Sequence, residues 1–183
     1  LSAMLLSAFL LLVPAVAHAP GSAGTIWPTE LALFNPSPTV PVRVTLRLLP
    51  RAGAPGAEGT VDVLPRRGVT LPDVVGSLGV EGGGALRLSA DAPFIVSSRT
   101  FNGGNSACGT FGVAVPAVPL SAAVTRGLLH GLSGDRVNAG LVNDGDTPVA
   151  AALRLLDAST GAVLGSSEQT VEGRSSLQVD DLR

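Results

Sequence analysis

The stretch LALFNPSPTVPVRVTLRLL, residues 31–49, decides how the chain is read, because its pattern returns at residues 140–156 as GLVNDGDTPVAAALRLL. Each copy has a short apolar run ending in Asn (Asn35, Asn143), a turn rich in Pro, Ser, Asp or Gly, and an alternating run that closes on LRLL. In the first copy Val42, Val44, Leu46 and Leu48 fall on one side of an extended chain and Arg43, Thr45 and Arg47 on the other, the period of two that a half-buried strand requires. The second copy places Val149, Ala151, Leu153 and Leu155 inside and Arg154 outside. Two strands joined by a tight turn, used twice at a spacing of roughly 110 residues, predict a repeated all-β unit whose second copy is incomplete.

Working outward, the spacing predicts strands at 25–35, 42–49, 60–64, 69–71, 85–89, 94–101 and 109–118, separated by Gly- and Pro-rich turns. A single helical turn is expected at 72–79, and Gly82, Gly83 and Gly84 are read as a turn that breaks it. About seven short strands in a hundred residues, with a turn every eight to twelve, is the signature of a β-sandwich. Such strands are not stable alone, so two sheets must share one core. The second unit is expected to use 127–131, 138–143, 149–156, 162–165, 168–171 and 177–182 and to leave 177–182 as an unpaired edge. The expected organisation is a hydrophobic segment at 1–12, a sandwich at 13–118, a linker at 119–125 and a second, C-terminally truncated unit at 126–183.

The hydrophobic content of 45% suffices for a core, yet only 3% of residues are aromatic and Tyr is absent, so Val, Leu and Ala must build it. That composition suits strands more than a large ligand cavity. Trp27 is read as a packing anchor between sheets. All twelve basic residues are Arg, and a net charge of -2 with scattered signs gives no basic stripe for nucleic acid or an anionic membrane. The apolar run from Met4 to Val13, followed by Ala17-His18-Ala19, resembles the hydrophobic part of an export signal and is too short for a membrane span of about 20 residues. Cleavage is expected near Ala8 if residues 13–18 form the first strand, or after Ala19 if they do not.

Residue types that carry chemistry are sparse. The lone Cys108 has no internal disulfide partner and is read as a loop thiol. His130, Ser133 and Asp135 lie too close in one loop to line up as a triad, and His18 and His130 are read as strand-end histidines bonded to backbone. Asp144-Gly145-Asp146 and Asp180-Asp181 are the best candidates for a hard cation, but with no distant Glu to complete a loop they read as turns. Gly103-Gly104 lacks the helix and Lys of a phosphate cradle. Arg99, inside an apolar strand, must find a carbonyl or an acid. Asn35-Pro36-Ser37 is closed to glycosylation by its Pro. Neither catalytic residues, cofactor nor metal ligands are therefore expected.

The succession VPAVAHAPGSAGTIWPTELALFNPS, LPDVVGSLGVEGGGALRLSADAPFIVSSRTFN and GTFGVAVPAV resembles the Ig-like β-sandwich modules that recur, often in tandem, in secreted and surface proteins of bacteria. The resemblance covers residues 13–118 and, more weakly, 126–182. It implies an extracellular, non-catalytic module that spaces or anchors neighbouring domains of a larger protein, with no membrane span after processing. The competing expectation is a recognition module that holds a surface glycan or protein through the loops at 50–59 and 102–108.

Overall fold

The computed structural model describes residues 9–21, 24–51, 54–102, 111–130 and 137–180. The chain is all-β, its sheets antiparallel, with one short helix and one complete 3-10 turn (Leu120–Ala122) among the described residues. The strands are β1 (Phe9–Pro20), β2 (Ile26–Phe34), β3 (Val42–Pro50), β4 (Ala57–Val63), β5 (Gly68–Leu71), β6 (Gly82–Ala90), β7 (Ile95–Phe101), β8 (Gly112–Ala114) and β9 (Val118–Pro119). Helix α1 (Val74–Ser77) lies between β5 and β6. Further on come β10 (Ala139–Asn143), β11 (Val149–Leu156), β12 (Val163–Val171) and β13 (Ser175–Val179).

Two layers arise because β2 changes partner along its length. Its first residues pair with the end of β1, His18 opposite Pro28. From Thr29 onward it pairs with β7, and from Leu31 with β5 as well. One layer therefore runs β4-β3-β6-β1 with β9 beyond it, and the other β5-β2-β7-β8. The side chains between them form one core: Val13 and Leu86 and Leu88 from one layer, Leu31 and Leu33 from the other, with Val74, Val75 and Phe94 closing the ends. On β3 the alternation sorts as the period of two requires. Val42, Val44, Leu46 and Leu48 are buried, while Arg43 is exposed and bonded across the strand to Asp62 on β4.

Where β1 and β2 part company, the buried Thr29 hydroxyl holds them. It accepts from the Ala17 backbone N–H at 2.7 Å and lies 2.7 Å from the Thr100 hydroxyl on β7. The pairing of β1 with β6 shifts register between Val13 and Val16, at Pro14, a residue that cannot donate to a ladder.

Several sequence expectations are corrected. Strand β1 begins at Phe9, four residues before the expected boundary, and Phe9 pairs with Ala90, so residues 9–12 belong to the sandwich. Ala17-His18-Ala19 lies within that strand, where cleavage after Ala19 would take away β6's neighbour; Met4 and Ala8 lie outside the described residues. Gly82, Gly83 and Gly84 are strand, not turn. A Cβ on Gly84 would collide with the carbonyl of Leu49, so glycine is what lets β3 and β6 approach. The expected strand at 109–118 is two pieces: β8 on one layer and β9, past Pro116, on the other. Residues 119–125 are not a free linker, since Pro119 pairs with Leu11 and Leu120 packs on Leu12 and Leu49. Trp27 is half-buried over Gly21 and outside the core clusters. No regular structure forms at 127–130.

Candidate functional site

The most distinctive local chemistry is a pair of asparagines. Asn35 is fully buried at the end of β2; its amide donates to the carbonyls of Val40 and Val63, both at 2.9 Å, and its side-chain oxygen accepts from the Ser37 N–H. Asn143, at the end of β10, donates to the carbonyls of Thr147, Val171 and Glu172 and accepts from the Gly145 N–H. The correspondence extends to the ladders. Leu31 faces Leu71 and Phe34 faces Gly68; Ala139 faces Val179 and Val142 faces Ser176, each pair displaced by 108 residues. Val42 faces Val63 as Val149 faces Val171. Even the left-handed residues correspond: Arg66 (φ 52°) and Arg174 (φ 55°) donate their N–H groups to Ser37 and Gly145. Strands β10 to β13 thus reproduce the pairings of β2 to β5.

The ionisable groups are drawn into pairs. His18 Nδ1 lies 2.5 Å from Asp73 Oδ2, while the other oxygen of Asp73 caps α1 by accepting from Gly76 N–H. The expected backbone partner for His18 is therefore a carboxylate, and the exposed His130 does not repeat it. Arg99 meets the acid foreseen for it, donating to both oxygens of Glu30 while its guanidinium stacks 4.8 Å from the Phe101 ring centre. Arg47 and Arg87 stand directly opposite each other on β3 and β6, a like-charge pairing that is unfavourable alone. Glu58 binds Arg47, and Asp144 reaches across from the second region to Arg87 at 3.2 Å. Asp146 is bound by Arg174 at 2.7 Å, which holds its carboxyl below the usual range.

The acids of the 144–146 turn are thus neutralised by arginines, and no group of three or more metal-ligating side chains occurs among the described residues. Asp180 takes a hydrogen bond from Gln178. Asp181, Cys108, Gly103, Gly104, Ser133 and Asp135 lie outside the described residues.

The second region seats on the outer face of the first sheet. Leu12, Leu49 and Ala85 are buried there under Leu120 and Val142, and the Ser176 hydroxyl donates to the Leu49 carbonyl at 3.2 Å. Arg51 bonds to Gln178 and bridges to Ser176. Beyond this junction an open trough of about 560 Å³ lies between β11, β12 and residues 127–129, with Leu128, Leu153, Leu155 and Val179 on its walls. Among the described residues, β11 pairs with β12 alone. Val149 is 49% exposed where its counterpart Val42 is 2% exposed, and among the described residues no strand stands beside β11 as β6 stands beside β3. Within the expected edge at 177–182, β13 runs to Val179 and pairs with β10 as β5 pairs with β2, and residues 181–182 lie outside the described residues.

Among the described residues no helix is long and apolar enough to cross a membrane. No family model and no curated protein matches the chain. The crystal structure of Thermotoga maritima 1070 aligns with it at 12% identity and a TM-score of 0.46, over 58% of this chain and 90% of that one.

Proposed function

We propose that the chain is a non-catalytic extracellular module of two Ig-like sandwich units in tandem, which spaces or anchors neighbouring domains of a larger secreted or surface protein. The observation that carries this reading is the use of its ionisable side chains. His18, Arg43, Arg47, Arg87, Arg99 and Arg174 each meet an acid across a ladder, at the helix cap, between turns or at the junction, which leaves them as fasteners of the fold. The junction itself, apolar at Leu12, Leu49 and Val142 and charge-matched at Arg87 and Asp144, suits units stacked in a fixed order.

The alternative, recognition of a surface glycan or protein, draws on a separate observation: Phe111 and Val113, which follow the 102–108 segment in sequence, are exposed. The two readings part in a glycan array and cell-surface pulldown with the whole chain. A spacer gives no specific retention. Retention that disappears when residues 103–108 are replaced by a Gly/Ser linker would establish the recognition reading instead.

A further inference from the structure

We infer that the junction between the two regions is a mechanical clamp: while it is seated, tension along the chain is shared in shear, and once it parts, both regions open as zippers. The inference rests on the spacer reading, because a module placed in series with its neighbours is one that bears tension. Strand directions carry it. Strand β9 runs antiparallel to β1, with Val118 opposite Leu12 and Pro119 opposite Leu11, so the chain leaves the first sandwich at the same end by which β1 enters it. In the second region Ala139, the first residue of β10, stands opposite Val179, the last of β13, so entry and exit again lie side by side. Antiparallel ladder bonds lie across the strands, so a ladder pulled apart at its mouth meets the load one rung at a time.

The seated second region changes that path. Strands β1 and β3 both run antiparallel to β6 and hence parallel to each other, from the Ala90 end of β6 toward its Gly84 end. On the outer face β13 follows the same direction, with Ser176 at Leu49 and then Gln178 at Arg51. Pulled from Phe9 at one end and from Val179 at the other, the two regions must therefore slide past each other along the strand axis. The bonds from Ser176 to Leu49, Arg51 to Gln178 and Arg87 to Asp144 bear that load together, with the packing of Val142 on its apolar seat, before either mouth is reached.

The test is single-molecule stretching of the whole chain, held by handles at its two ends. The expected trace opens with one high-force event and continues as unravelling at lower force. Val142→Asp is expected to lose the first event and to unravel at the lower force from the start. Arg87→Ala removes one bond of the junction and is expected to shorten the lifetime of the seated state at fixed force by about tenfold. A second attachment guards against misfolding of these variants: with one handle moved to Ala122→Cys in a Cys108→Ser background, the pull bypasses the junction, and the lower force alone is expected. A high-force event that survives Val142→Asp or the moved handle would overturn the clamp and leave the spacer reading standing, as would a wild-type chain that unravels at the lower force throughout. Specific retention on the glycan array or cell surface would overturn the spacer reading, and the inference with it, whatever the trace shows.

Discussion

At Asn35 one amide ties the end of β2 to the approach to β3 and to the last residue of β4, and no other side chain of that size offers a donor pair beside an acceptor in a fully buried position. Asn35→Ala orphans the buried carbonyl of Val63, which costs about 1–3 kcal/mol. Chemical denaturation should register a loss in that range, and a change within error would refute the assigned role. Arg66 bears a left-handed backbone that L-residues adopt at a cost of roughly 1–2 kcal/mol, so Arg66→Gly is expected to leave stability level or raised. Arg174→Gly should be worse than Arg66→Gly, since Arg174 also binds Asp146.

The turn after β11 carries a pH signature. Hydroxyl and N–H donors from Ser159 and Thr160 converge on Asp157 and hold its carboxyl down at about 2. A depressed folded value means a stabilising contribution that is complete above the ordinary carboxylate range and is lost as pH falls through about 2. Carbon-detected titration should show Asp157 protonating there; a midpoint near 4 would remove the turn from the account. Asn35 and Asn143 were visible in sequence as matched ends of matched runs, but their partners were not, because Val63 and Val171 lie 28 residues away. His18 was misread for the same reason, its acid Asp73 standing 55 residues on.

Among elements, β3 was the most legible, since one apolar face and one charged face leave a single register that buries the right side. Leu46→Asp sets a charge into the core and should abolish cooperative unfolding, whereas Thr45→Asp, on the half-buried opposite face, should shift the midpoint modestly. Equal effects would contradict the face assignment. Strand β6 was half missed because glycine reads as a turn when local propensity is weighed alone. Its run at 82–84 is explained only by the closeness of β3 and β1, which no window of sequence contains. Gly84→Ala should therefore destabilise by more than the roughly 1 kcal/mol preference between Gly and Ala works in Ala's favour elsewhere in a strand. Calorimetry reads the sign directly, and a stabilised variant would show that β3 and β6 do not approach so closely. The division of 109–118 between two layers was likewise closed to pattern reading, because either half of a switching strand alternates equally well.

For the molecule as a whole, the all-β class and the doubled motif were legible from alternation and turn residues, while the seating of one region on the other was not. Leu12, Leu49 and Ala85 sit on a face that the alternation of charged neighbours marks as outward. Their burial depends on Val142 and Leu120 arriving from elsewhere. Val142→Asp should release the second region while the first stays folded, giving two thermal transitions in place of one; a single unchanged transition would deny the junction.

The central claim is that β10 to β13 pair as β2 to β5 do, and methyl-labelled nuclear Overhauser spectroscopy of the whole chain addresses it most directly. The account predicts cross-peaks between Leu33 and Val69 and between Leu141 and Leu177, since each pair stands directly across its ladder. Leu177 coupled to some other strand, with no peak to Leu141, would contradict it.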